Sequence, residues 1–249
     1  MAGWFKRLRG APPPIDEAAW RQAAAGLPWL RGLQPSRLER LQALTGRFLH
    51  EKTITPLQDL RLNGIARLRL AALCCLPALE YGWEGLRGWS QLLVYPGAFR
   101  ATRSHVDAAG VLHEWQDELI GEAWEQGPVI LSWADVRADI AAPREGYCVA
   151  AHEIAHKLDA LDGALDGTPL LPRDWQRQWA IDFQRAYDAL CEQVDRGREV
   201  AIDPYAAESP EEFFAVASEY HFSNPATLQG AMPEVAAHLR RFYGEPPFA

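Results

Sequence analysis

Leu38, Leu41, Leu44 and Phe48 recur every three or four residues, the spacing that gathers side chains on one face of an α-helix. Ser36 stands at the start of this stretch and reads as its N-cap. The stretch belongs to a helical region from Ile15 to Arg47, interrupted at Pro28 and Pro35. A second, more apolar helix is predicted over Leu60–Leu79. The period then changes. Leu92–Tyr95 (stopped by Pro96), Gly110–Trp115 and Gly127–Trp133 are short runs with strand character. From Gly146 onward the helical period returns. A long amphipathic segment runs from Leu171 to Gly197, where the glycine is its stop. Another begins with Ser209 as N-cap and Pro210 in the first turn, and Met232–Gly244 closes the series. Strands in the first half and helices in the second predict an α+β fold: one compact domain, a small mixed sheet and a predominantly helical second half.

Composition narrows the function. The chain has 33 acidic against 25 basic side chains, a formal net charge of −8, so it has no general attraction to phosphate backbones. That argues against direct nucleic-acid binding. The first 14 residues, MAGWFKRLRGAPPP, are basic and then proline-rich, and read as a flexible tail ahead of a single domain over 15–249. They lack the apolar core of a signal peptide. The longest apolar run, Leu70–Leu79, is too short to span a bilayer and contains Pro77. Cys74, Cys75, Cys148 and Cys191 show no paired spacing and read as reduced thiols. The expectation is a cytoplasmic protein without a membrane segment.

The chemistry gathers in YCVAAHEIAHKLDALDG, Tyr147–Gly163. Here two histidines and a glutamate interrupt an apolar helix, and buried polar groups are costly without partners. On a helix His156 lies about 40° round and roughly 6 Å along from His152, so both imidazoles can address one point. Glu153 sits beside that point, about 100° round. Tyr147, Ala150, Ile154, Leu158 and Leu161 form an apolar back face. This H-E-x-x-H pattern is the arrangement of two zinc ligands and a free carboxylate able to act as general base.

A catalytic zinc needs a third protein ligand, and several residues compete for that place. Asp162 stands where a metzincin-like motif puts its ligand, although Asp159 occupies the position that motif reserves for glycine. Cys148 lies one turn before His152. A glutamate from the later helix is the third option, among Glu211, Glu212 and Glu219. Glu212 is followed at i+3 by Ala215, a small residue where the zinc helix must approach, but it also stands three residues after Ser209, where it could close a capping box. Asp159 could orient a ligand histidine or simply end the helix. Tyr205, seven residues before Glu212, is either a packing residue or a hydrogen-bond donor to a developing oxyanion. Val129–Trp133, just ahead of the zinc helix, is a candidate edge strand for pairing with substrate backbone. His105, His113, His221 and His238 read as surface or core histidines.

HEIAHKLDALDG together with DPYAAESPEEFFAVASEYHF resembles the Mlc titration factor A family, the M90 zinc metallopeptidases of bacteria. CLPALEYG, LLVYPGAF and GPVILSWADV carry the same resemblance, which spans roughly Leu27 to Tyr243. The resemblance implies a zincin-like domain with one Zn2+ per chain. It implies His152, His156 and Glu212 as ligands, Glu153 as general base and Tyr205 as the catalytic tyrosine. It implies a cytoplasmic aminopeptidase acting on short peptides, and a regulatory partner, a transcriptional repressor of the Mlc type that controls sugar uptake. The alternative is a non-catalytic protein that sequesters a transcription factor and keeps a structural or vestigial zinc site.

Overall fold

The computed structural model describes residues 14–97, 99–106, 112–119, 121–123 and 127–248, with side chains at 14–97 and 127–248. All but the last residue of the expected tail therefore lies outside the described residues. α1 (Glu17–Ala25) starts at Asp16, whose carboxylate accepts the Ala19 N–H at 2.8 Å. A 3₁₀ turn over Pro28–Gly32 separates it from α2 (Pro35–Glu51). Ser36 is not the cap of α2. Gln34 takes that position without a side-chain bond, and Pro35, preset for the first helical turn, moves the start two residues earlier. β1 (Thr53–Pro56) leads to α3 (Gly64–Cys75), shorter than the predicted Leu60–Leu79. The Asn63 side chain accepts the Ala66 N–H at 2.9 Å and sets its start, while Pro77 lacks the N–H that would carry it further.

β2 (Gln91–Tyr95) is parallel to β1 on one side and to β6 on the other. β3 (Phe99–Val106) and β4 (Leu112–Leu119) form a separate antiparallel pair. The predicted strand at Gly110–Trp115 overlaps β4; its first two residues lie outside the described ones. β5 (Gly121–Ala123) runs antiparallel to β6 (Val129–Ser132), so the sheet is mixed, in the order β1-β2-β6-β5. β6 is therefore not an edge strand. It is paired on both sides, and its four residues are all buried, as strands covered on both faces are.

The end of β6 feeds straight into α4 (Trp133–Ala141), where Ser132 accepts the Asp135 N–H at 3.3 Å. α5 (Val149–Asp159) follows, then α6 (Arg173–Asp195), α7 (Pro210–Ser223), α8 (Pro225–Ala231) and α9 (Pro233–Tyr243). As predicted, Ser209 caps α7, accepting the Glu212 N–H at 3.3 Å. Gly197, at φ +63°, turns the chain just beyond α6. The core of the helical half is aromatic: Trp179 stacks on Phe183 at 4.0 Å and meets Phe214 and Phe242 edge-on. These rings pack α6, α7 and α9 together and leave α7 against α5. Among the described residues no helix is long and apolar enough to cross a membrane.

Candidate metal centre

The start of α5 is fixed by acid side chains from two other helices. Asp139 of α4 accepts the Val149 N–H at 2.9 Å, and Glu219 of α7 accepts the Cys148 N–H at 2.6 Å. These are donors that a helix leaves unpaired at its first turn, at the positive end of its dipole. Ala150, Ala151, Ile154, Ala155 and Leu158 are all buried, and the small residues among them let α7 come close. Tyr147 departs from the expected back face: it precedes the helix and is 51% exposed.

α7 brings up the rest. Glu212 leaves its first turn, and its Oε2 lies 3.1 Å from His152 Nε2 and 3.5 Å from His156 Nε2. The two Nε2 atoms are 3.2 Å apart. Donors bound tetrahedrally at about 2.0–2.2 Å stand roughly 3.3–3.6 Å from one another, so this triangle, with sides of 3.1, 3.2 and 3.5 Å, is close to the size zinc requires. The capping box is half formed: Ser209 bonds the Glu212 backbone, while the Glu212 carboxylate faces the histidines.

Glu219 completes the arrangement. It stands seven residues after Glu212, almost two full turns, and so returns to the same face of α7. Its Oε1 is 2.9 Å from His152 Nδ1. With Nδ1–H donating there, His152 Nε2 keeps a lone pair. That lone pair faces the carboxylate oxygen of Glu212 and the second imidazole at hydrogen-bonding distance. Three acceptors converging on one point repel one another until a cation lies between them. Among the described residues, His152, His156 and Glu212 are the group of donors that could hold a metal ion.

The electrostatics favour positive charge at this point, carried by a proton on His152 or by a metal ion. Burial pushes the Glu212 carboxyl up, but the hydrogen bonds and charges of His152 and His156 outweigh it and hold the group well below the usual carboxylate range. Burial opposes protonation of His152, yet the hydrogen bonds to Glu212 and Glu219 raise it well above an ordinary histidine. Burial lowers His156. Glu153 is 2% exposed, and its Oε2 has no hydrogen-bond partner. Burial pushes its carboxyl up to about 8, with the charges of Glu212 and Glu219 adding and those of His152 and Lys157 opposing. A buried carboxyl with one oxygen unpartnered, beside a candidate cation site, is expensive to keep and suited to moving a proton.

Comparison with known proteins places the chain in a family. The description Glucose-regulated metallo-peptidase M90 matches residues 3–244. The chain belongs to the M90 metallopeptidase family. It is 38% identical to the Mlc titration factor A of Escherichia fergusonii over 238 residues, covering 94% of this chain and 89% of that protein. It is also 38% identical to that of Klebsiella pneumoniae over 234 residues (93% and 87%). Against that of Pectobacterium atrosepticum it is 37% identical over 240 residues (95% and 90%).

The other sequence candidates sit elsewhere. Asp162 is exposed on a 3₁₀ turn, where its carboxylate accepts the Ala164 N–H at 3.1 Å. Cys148 occupies the N-cap position of α5, and burial raises its thiol well above the usual range. Glu211 is half-buried beside Glu212 and outside the donor group. Asp159 does not orient a histidine through any bond seen here; its Oδ2 accepts the Gly167 N–H at 2.8 Å and ties the following loop back to α5. The carboxylate that does reach one of the two candidate histidines is Glu219, at His152 Nδ1. Tyr205 lies on the 3₁₀ turn Pro204–Ala207, 47% exposed, its ring centroid 6.3 Å from that of His152 at an interplanar angle of 29°. His221 and His238 are buried, His238 between Trp175 and Asp182.

Proposed function

We propose that this protein is a cytoplasmic zinc-dependent aminopeptidase for short peptides, with His152, His156 and Glu212 holding one Zn2+, Glu153 as general base and Tyr205 as oxyanion donor. The observation that carries this reading is the triangle of donor atoms at 3.1, 3.2 and 3.5 Å with the buried Glu153, whose Oε2 has no hydrogen-bond partner, beside it. Zinc bound there would supply a Lewis acid, a water more acidic than bulk, and a positive charge that draws the Glu153 carboxyl down from about 8. Glu153 takes the proton of the attacking water and returns it to the leaving amine. Glu219 holds His152 by Nδ1 so that Nε2 keeps its direction. Tyr205, its half-exposed ring stacked towards that of His152, donates a hydrogen bond to the carbonyl oxygen as negative charge develops on it. β5, the strand at the end of the sheet next to α5, offers its backbone for pairing with an extended peptide.

A regulatory role stands beside the enzymatic one. The relatives carry the name Mlc titration factor A, which supports binding of a repressor of the Mlc type by this chain as well. A purely structural zinc site would have no use for a free, buried Glu153, and this favours catalysis over a vestigial centre. Metal analysis of the purified protein, combined with a screen of chromogenic aminoacyl substrates, tests the proposal. The expected result is one zinc per chain and an aminopeptidase activity that a chelator abolishes and zinc restores. Protein without zinc, or hydrolysis indifferent to the chelator, contradicts it. Binding of a repressor of the Mlc type without hydrolysis of any substrate would leave the regulatory reading alone.

A further inference from the structure

We propose that Asp203 is a positioning residue, which fastens the turn carrying Tyr205 to the segment that starts the metal-bearing helix and so fixes where the Tyr205 phenol stands. The inference rests on the peptidase reading above and names the part of the fold that aims its tyrosine.

Tyr205 needs such a device. Its ring is half exposed, and the backbone beneath sets the point from which the phenol reaches out. That backbone is a single 3₁₀ turn, Pro204–Ala207, which is too short to hold itself. Asp203 organises it from the N-cap position. Its Oδ1 accepts the Tyr205 N–H at 2.9 Å, and its carbonyl accepts the Ala206 N–H at 3.0 Å.

The same residue meets two tyrosine hydroxyls. The Tyr147 hydroxyl lies beside the Asp203 carboxylate, close enough to feel its charge. The Tyr220 hydroxyl lies beside the Asp203 backbone. Both partners belong to the scaffold of the metal centre. Tyr147 directly precedes Cys148, the N-cap residue of α5. Tyr220 directly follows Glu219, which binds both the Cys148 N–H and His152 Nδ1. Gly146 closes the packing. Its φ is +100°, and a Cβ there would lie 2.7 Å from Tyr220 Cζ, so the Tyr220 ring rests against a position that only glycine fits. His152 and Tyr205 are thus referred to one short piece of chain, residues 146–148, by two adjacent side chains of α7. A phenol displaced by about 1 Å can lose most of its value to a transition state, which gives the arrangement its purpose.

Asp203→Ala and Asp203→Asn, each alone and combined with Tyr205→Phe, test this. Asp203→Ala is expected to lower kcat about tenfold or more with KM little changed and zinc content at the wild-type value. Asn keeps an acceptor for the Tyr205 N–H and a polar partner for Tyr147, so Asp203→Asn should recover most of the activity. In the Tyr205→Phe background Asp203→Ala should cost nothing further, since it acts through the missing hydroxyl. Amide hydrogen exchange at Tyr205, read on the metal-free protein, should quicken in Asp203→Ala and stay near wild type in Asp203→Asn. An active wild type whose Asp203→Ala variant keeps its kcat, loses zinc, or loses equally with and without the Tyr205 hydroxyl overturns the inference alone. A wild type that hydrolyses nothing overturns the peptidase reading and this inference with it.

Discussion

Glu219 joins His152 to the backbone that starts its own helix: Oε1 lies 2.9 Å from His152 Nδ1, and Oε2 accepts the Cys148 N–H at 2.6 Å. One side chain of α7 therefore sets both the tautomer of a metal-ligand candidate and the position of the helix carrying it. Glu219→Gln keeps one acceptor oxygen but turns an amide N–H₂ toward the other donor. It should weaken zinc binding about 10–100-fold and cost on the order of 1–3 kcal/mol of stability. Competition with a chelator of known affinity measures the first. Unchanged affinity would mean that Glu219 serves the helix cap and not the metal.

Glu212→Ala should remove zinc binding while Asp162→Ala and Glu211→Ala leave it intact. The start of α7 survives the substitution, because Ser209 bonds the Glu212 backbone N–H and not its carboxylate. Zinc titration together with thermal unfolding separates ligand loss from loss of a cap, which alone costs about 1 kcal/mol. Zinc kept by Glu212→Ala but lost by Asp162→Ala would move the third ligand to the loop after α5.

Tyr205→Phe deletes one hydroxyl and nothing from the metal. If the phenol stabilises the oxyanion, kcat falls about 10²–10³-fold with zinc content unchanged and KM little altered. A kcat within about threefold of wild type would leave Tyr205 out of the mechanism.

Asp139 supplies a pH dependence. Burial raises its carboxyl to about 7, opposed by the Val149 N–H, against roughly 4 in an unfolded chain. A raised carboxylate favours the folded state fully below about pH 4, and that contribution is lost as pH rises through 7. The stability of wild type relative to Asp139→Asn should therefore fall by on the order of 1–3 kcal/mol between pH 4 and pH 8. Urea denaturation in the presence of a chelator checks this, and a flat difference would show that the Asp139 carboxyl titrates at an ordinary value.

The histidine pair was legible in the sequence because its geometry is local: one helix fixes the relation of His152, Glu153 and His156 before any packing occurs. Glu212 was legible only as one of several candidates, since the choice depends on how α7 lies against α5, and no periodicity within either helix contains that. The role of Glu219 did leave a signal, its seven-residue spacing from Glu212, which puts both carboxylates on one face. The rank of Val129–Ser132 in the sheet left none, because strand order is set by crossovers; the three residues of β5 that cover it were too few to show a period. Asp159 shares the metal-facing side of α5 on a helical wheel, yet at the end of the helix it meets the returning loop at Gly167 before it meets a histidine.

Glu153→Gln tests the central claim most directly. The amide has the shape of the carboxyl but cannot accept and return a proton, and the three donor atoms of His152, His156 and Glu212 are untouched. The account predicts a folded protein with one zinc per chain and peptide hydrolysis reduced about 10²–10⁴-fold. A zinc-loaded Glu153→Gln enzyme hydrolysing the same substrates at near the wild-type rate would contradict it.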